Sequence, residues 1–190
     1  MALTVIRPRR FEDPRGWFSE SWNRARLESA GIVIDFCQDN HSFSHPAGTL
    51  RGLHYQAPPF AQTKLVRCLR GRIFDVAVDI RRSSPTFGQW AGLELSAANG
   101  KQLLIPAGYA HGFLTLEPDC EIAYKVDAYY SAESDGGLAW NDPAIGIDWP
   151  LASGDPVLSD KDRSLPALDR LIVDFPYDGN PLGPLQEVSL

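Results

Sequence analysis

The 190-residue sequence predicts an all-β fold of the jelly-roll kind, with short helices toward its C-terminal side. Three observations carry that expectation. Apolar residues recur with a period of two, the runs are short and evenly spaced, and Gly or Pro signals separate them. Many short strands joined by turns close on themselves as a sandwich or barrel.

The elements follow in chain order. Residues 23–30, with Gly31 behind them, read as two helical turns with a glycine stop. Asn40-His-Ser-Phe-Ser-His-Pro46 reads as a polar loop holding His41 and His45. Strands are expected near 64–70, 73–80, 90–95, 102–106, 113–117 and 121–127. In the second, Phe74, Val76, Val78 and Ile80 share one face, and Ile73, Asp75, Ala77 and Asp79 the other. Arg70-Gly71, Ser84-Pro85, Asn99-Gly100, Glu117-Pro-Asp119 and Asp135-Gly-Gly137 supply turns. Ser159-Asp-Lys-Asp162 fits a capping box that opens a helix ending near Arg170. The Pro- and Gly-rich residues 171–190 read as a tail draped on the surface or partly disordered. Residues 1–170 form a single domain in this reading.

Composition bounds the function. A chain of this length holds one well-buried core rather than two comfortable domains. The net charge of −6 argues against a nucleic-acid surface, which needs a basic face. A few cations in a concave site can still attract a small anion. Cys37, Cys68 and Cys120 are odd in number and have no C-x-x-C spacing, so they read as reduced core residues of a cytoplasmic protein. The N-terminal residues lack the apolar region of a signal peptide, and no apolar run approaches the ~20 residues that span a bilayer. The expectation is a soluble protein with neither a nucleic-acid nor a membrane partner.

Chemistry concentrates in one stretch. Arg51-Gly-Leu-His-Tyr-Gln56 and Lys64-Leu-Val-Arg67 place a histidine among three strand-borne cations, in a chain with only 4 His. Cations beside a neutral imidazole favour its unprotonated form, ready to act as a base. His54 is otherwise a hydrogen-bonded core residue. Pro106-Ala-Gly-Tyr-Ala-His-Gly112 turns tightly and delivers His111 toward a barrel mouth at cupin-like spacing. A metal-dependent cupin needs an upstream H-x-H and a glutamate, but this chain has His54-Tyr-Gln56 and no Glu between Glu28 and Glu94. No metal is therefore expected. Lys64 is either a solvated strand end or a partly desolvated ammonium aimed at developing negative charge. Asp75 is a candidate partner for Lys64 or His111, or an acid facing water. Arg15 beside Trp17 and Phe18 suits a nucleotide, guanidinium on phosphate and ring on base, or else an ordinary turn and edge strand.

Taken together, these pieces resemble the dTDP-4-dehydrorhamnose 3,5-epimerase family. The resemblance runs through Asp13-Pro-Arg-Gly-Trp-Phe-Ser-Glu20, Gln38-Asp-Asn-His-Ser42, Leu50-Arg-Gly-Leu-His-Tyr-Gln56 and Lys64-Leu-Val-Arg67. It continues through Phe74-Asp-Val-Ala-Val-Asp79, Ser84-Pro-Thr-Phe-Gly88, Ile105-Pro-Ala-Gly-Tyr-Ala-His-Gly-Phe113, Tyr124-Lys125, Tyr129-Tyr130 and Trp140-Asn-Asp-Pro143. It covers roughly residues 5–165, in one order and with close spacing.

The resemblance implies a cupin-type jelly roll, a homodimer with shared N-terminal strands, no cofactor, and a dTDP-linked 4-keto-6-deoxy sugar as substrate. It implies His54 as the base, Asp162 orienting it, Lys64 stabilising the enolate and Tyr124 donating a proton from the opposite face. On the residues alone, Asp162 could equally be only the cap of its helix. A neighbouring ammonium would lower the Tyr124 pKa from about 10. Arg51, His111 and Lys161 are implied as phosphate-side ligands. Arg15, Phe18, Glu20, Gln38, Asp39 and Asn40 are implied as a patch reaching the neighbouring subunit's nucleotide, with Phe18 and Tyr130 stacking on thymine. Asp135 stands where the family usually has Glu, which shortens the reach of that contact. The alternatives are a single-centre epimerase of a related sugar, a metal-dependent cupin oxidoreductase and a non-catalytic sugar-binding cupin.

Overall fold

Two facing sheets form the body of the molecule in the computed structural model, which describes residues 1–152 and 154–190. Among the described residues the strands are β1 (Thr4–Arg7), β2 (Phe11–Asp13), β3 (Gly16–Phe18), β4 (Gln38–Ser44), β5 (Leu50–Gln56), β6 (Lys64–Arg70) and β7 (Arg72–Asp79). They continue with β8 (Trp90–Ser96), β9 (Gln102–Ile105), β10 (Tyr109–Thr115), β11 (Cys120–Val126), β12 (Asp135–Gly137) and β13 (Gln186–Ser189). Helices α1 (Arg24–Ser29) and α2 (Asp160–Arg163) are short, and Leu168–Arg170 adds a 3₁₀ turn. The larger sheet has the order β13-β1-β9-β6-β11-β4 and the smaller β12-β5-β10-β7-β8, while β2 and β3 form a separate ribbon.

Strand alternation sorts side chains into three apolar layers. Val5, Val66, Leu103, Ile105 and Ile122 of the larger sheet meet Ile73, Ala77, Leu95 and Phe113 of the smaller one between the sheets. Their neighbours Ile6, Leu65 and Leu104 point outward, beneath Leu27 of α1 and Ile32. On the far side Leu50, Leu53, Val76, Val78 and Leu114 are covered by Leu138, Ile145, Trp149, Leu168, Leu171 and Phe175. The expected strands near 64–70, 73–80, 90–95, 102–106 and 121–127 appear within a residue or two of those bounds.

Three features depart from expectation. The polar segment at 40–46 is largely strand β4, because Gln38, Asn40 and Ser42 alternate into a polar cleft and leave no hydrophobic signature. Strand β10 begins at Tyr109 rather than 113, immediately after the Pro106–Gly108 turn. Helix α2 stops at Arg163 instead of running to Arg170, since Pro166 disfavours helical geometry at Leu165.

The C-terminal segment lies along the surface and is held in place at several points. Leu171 and Phe175 are buried, Asp178 pairs with Arg81 at 3.0 Å, and β13 lies parallel to β1 at the sheet edge. Arg81 is itself buried against Asp79 at 2.8 Å, so the segment covers an ion pair as well as apolar surface. The Phe175 ring meets Tyr55 edge-on at 5.7 Å. Phe175→Ala should therefore destabilise the fold by about 3–5 kcal/mol. Thermal unfolding would register that as a Tm lower by roughly 10 °C, and an unchanged Tm would refute the anchoring role.

Candidate active site

A polar cleft occupies the end of the inter-sheet space that the apolar core leaves unfilled. It has two lobes of about 260 and 240 Å³ that share His54, Lys64, Tyr124 and Lys161. The first is completed by Gln38, Asn40, Gln56, Gln62, Tyr130 and Asp135, the second by Ser42, Arg51, His111, Ser159 and Asp162.

A β-bulge builds one wall. On β10, His111 stands opposite His54 and Phe113 opposite Arg51, so two residues of β5 face Gly112 alone. Arg51 and His54, three apart, therefore face the cleft together, while Leu50 and Leu53 join the far-side core. Simple alternation would have put Arg51 and His54 on opposite faces. Gly52 makes this possible: its φ is +122°, and a Cβ would lie 2.6 Å from Gly112 Cα and 2.7 Å from the His111 carbonyl oxygen. Gly52→Ala should cost about 1–3 kcal/mol of stability and at least tenfold in activity by displacing His54. Full activity at wild-type Tm would count against the bulge as the positioning device.

Each cleft histidine is tied to its own acid. His54 Nε2 lies 2.5 Å from Asp162 Oδ1, and His111 Nε2 lies 2.7 Å from Asp75 Oδ1. Asp162 is brought to β5 because Leu50 donates to the Val157 carbonyl at 3.0 Å and Val157 donates to that of Gly48 at 2.9 Å. Burial by itself would raise the Asp162 carboxyl, but hydrogen bonds from His54 and Ser159, with Lys161 nearby, bring it below its ordinary value. Asp162 is then an acceptor only, so His54 Nε2 carries the proton and the lone pair resides on Nδ1. Ser159 also accepts from the Asp162 N–H at 3.1 Å, so Asp162 both takes part in the helix cap and hydrogen-bonds the imidazole.

Lys64 comes from the opposite sheet, in phase with the buried Val66 and Cys68. Its ammonium donates to the His54 carbonyl at 3.4 Å. Burial pushes its pKa down to about 8, against the pull of Asp75 and Asp135. Burial also lowers His111, despite Asp75, and so favours a neutral imidazole. Asp75 is fully buried beside His111, and its Oδ2 has no partner among the described residues. Tyr124 departs from expectation. Burial raises its pKa, with Arg51 the opposing influence, so the phenol is held protonated rather than softened by an ammonium.

The remaining expected residues divide. Gln38 donates to Asn40 Oδ1 at 2.8 Å and accepts the Tyr130 N–H at 3.2 Å, so both line the same cleft as this chain's His54. Arg51 is held by Ser44 Oγ at 3.1 Å and the Phe43 carbonyl at 2.9 Å. Asp135 pairs with Lys161 and accepts from Tyr130 Oη at 3.3 Å, so the shorter acid still finds both neighbours. Asp39 stands apart: alternation turns it to the outer face of β4, where it meets Lys125 at 2.8 Å. Arg15 pairs with Asp13 in the β2–β3 ribbon, Glu20 with Arg26 at 2.8 Å, and Phe18 is 67% exposed, so none of the three lines this chain's cleft. Ser42, Gln62 and Ser159 line the cleft without having been singled out as site residues. Ser159 stands in the capping box and Ser42 in the Gln38–Ser42 motif, so both carried a signal, whereas Gln62 carried none.

The sequence matches the dTDP-4-dehydrorhamnose 3,5-epimerase family model over residues 2–170. This chain belongs to that family. A dTDP-4-dehydrorhamnose 3,5-epimerase of Sinorhizobium fredii is 56% identical over 179 residues, covering 92% of this chain and 89% of the relative. Among solved structures, the family enzyme of Bacillus anthracis, with TDP and PPi bound, superposes at a TM-score of 0.82 with 55% identity, covering 85% of this chain and 91% of that one. A dTDP-6-deoxy-D-glucose-3,5-epimerase from Legionella pneumophila in complex with dTDP-4-keto-L-rhamnose gives 0.83 and 44%, covering 89% and 94%. Family membership makes the chain an isomerase with a cupin-type jelly roll. No helix among the described residues is long and apolar enough to cross a membrane.

Proposed function

We propose that this enzyme converts dTDP-4-dehydro-6-deoxy-D-glucose to dTDP-4-dehydro-L-rhamnose, inverting C3 and C5 with its own side chains. The observation that carries the reading is the His54–Asp162 pair on one wall, facing Tyr124 and Lys64 on the other. A 4-keto group acidifies the hydrogens on C3 and C5. His54 removes one of them, and the negative charge passes to the C4 oxygen, where the Lys64 ammonium stabilises it. Tyr124 then protonates the same carbon from the other face, and the centre is inverted. His54 is left protonated and Tyr124 deprotonated. Exchange with solvent resets both, so the new hydrogen comes from water.

Binding follows the cations. Arg51 and Lys161 border the second lobe beside the neutral His111 and suit the diphosphate, while Gln38, Asn40 and Tyr130 border the first and suit the base and sugar. In a homodimer the β2–β3 ribbon would carry Arg15, Phe18 and Glu20 to the neighbouring site. The exposed Phe11, Trp17 and Phe18 of the ribbon support an assembled state. The free thiols of Cys37, Cys68 and Cys120 fit a cytoplasmic setting.

Incubation with dTDP-4-keto-6-deoxyglucose in deuterated water tests the reading. Two deuteriums, at C3 and C5, are expected. One alone would make the enzyme a single-centre epimerase, and none would end the proposal. Tyr124→Phe should lower product formation by about 10²–10⁴-fold while loss of the substrate hydrogens to solvent persists. If both fall together, Tyr124 is not the opposite-face donor.

A further inference from the structure

Ser159 makes more contacts than a helix cap requires. Its Oγ accepts the Asp162 N–H at 3.1 Å, which satisfies the terminus of α2. The same hydroxyl also approaches Asp162 Oδ2 at 2.9 Å, while Oδ1 meets His54 Nε2 at 2.5 Å. Asp162 is 4% exposed, so little water is available to hold its second oxygen. Lys161, the adjacent cation, is paired with Asp135. A hydroxyl has one hydrogen to donate, and the carboxylate beside it can only accept. The direction of every bond in the row then follows: Ser159 donates to one oxygen, His54 to the other, and the imidazole lone pair is left on Nδ1. Ser159 and His54 are the side-chain donors to the two oxygens of the buried Asp162 carboxylate, and between them they fix its rotamer.

We propose that Ser159 is a positioning residue for proton transfer, locking the Asp162 carboxylate that orients His54 and thereby setting which imidazole nitrogen is basic. This rests on His54 being the base. The role resembles that of the outer partners of metal-bound histidines, whose loss lowers function by about 10- to 100-fold, and a loss of that size is expected here.

Three substitutions separate positioning from capping. Glycine is tolerated at an N-cap but brings no hydroxyl, aspartate keeps an acceptor for the helix without a donor, and threonine keeps both. Ser159→Gly and Ser159→Asp are expected to lower kcat for epimerisation of dTDP-4-keto-6-deoxyglucose by about 10- to 100-fold, with KM within about twofold. Ser159→Thr should return kcat to within about threefold of wild type, and each variant's melting temperature is measured alongside. Wild-type kcat in Ser159→Asp would overturn the proposal, because capping alone would then suffice. Equal losses in the Gly, Asp and Thr variants would overturn it as well. His54→Ala, assayed in parallel for solvent-deuterium exchange, distinguishes the two levels. Retained exchange there removes the base and this inference together. Lost exchange with fully active Ser159→Gly removes the inference alone.

Discussion

Replacing His54 by alanine should lower kcat by about 10²–10⁴-fold and abolish solvent-deuterium exchange at both C3 and C5. Both centres flank one carbonyl, so a single base serving both must fail at both. KM should change little, because Arg51 and Lys161, the cations proposed to hold the diphosphate, are untouched. The substitution also strips Asp162 of one donor in a nearly dry site, leaving a buried carboxylate with an unpaired oxygen at a cost of about 1–3 kcal/mol. His54→Asn controls for that effect, since an amide can donate to Asp162 without acting as a base. Equal inactivity of the Ala and Asn variants, with the Asn variant the more stable, is the expected pattern. Exchange at either carbon within tenfold of wild type would sink the assignment.

Lys64→Met should be nearly as damaging. Removing one preorganised donor at a developing oxyanion typically lowers kcat by about 10²–10³-fold. The substitution keeps length and apolar stem while removing the charge, so the loss would report on the ammonium itself. The Lys64 pKa of about 8 adds a pH signature. The ammonium predominates below that value and is lost above it, so kcat/KM, which reports the free enzyme, should fall as pH rises through about 8. In Lys64→Met that alkaline limb should disappear, leaving a low, flatter profile. A wild-type profile that stays level to pH 10 would contradict the role. Lys64→Arg is not expected to rescue, because a rigid planar fork does not fit where a compact ammonium points at one carbonyl.

Much of the fold was legible because the interior-facing strands carry period-two apolar residues. The 73–80 run shows this well: Val76 and Val78 enter the far-side core, and Ile73 and Ala77 the inter-sheet core. Strand β4 was illegible for the complementary reason. Its inward residues line a polar cleft, so their alternation has no hydrophobic contrast. The Pro and Gly content of the C-terminal segment likewise carried no sign of its two anchors, Leu171 and Phe175, that close the outer core.

The site divides along the same line. Sequence by itself determined that His54, Lys64 and Arg51 lie close along the chain, that Ser159 to Asp162 form a capping box, and that the motif order is that of one epimerase family. Those are local or linear properties, written in residue type and spacing. Tertiary structure alone decided that Arg51 and His54 share a face, because the bulge at Gly52 depends on the close approach of β10. It supplies the 2.5 Å contact between Asp162 and His54, 108 positions apart, a pairing that the family resemblance implied and that residue spacing left open. It also set the proton affinities of Lys64 and Tyr124, because desolvation depends on what packs around a group rather than on what precedes it.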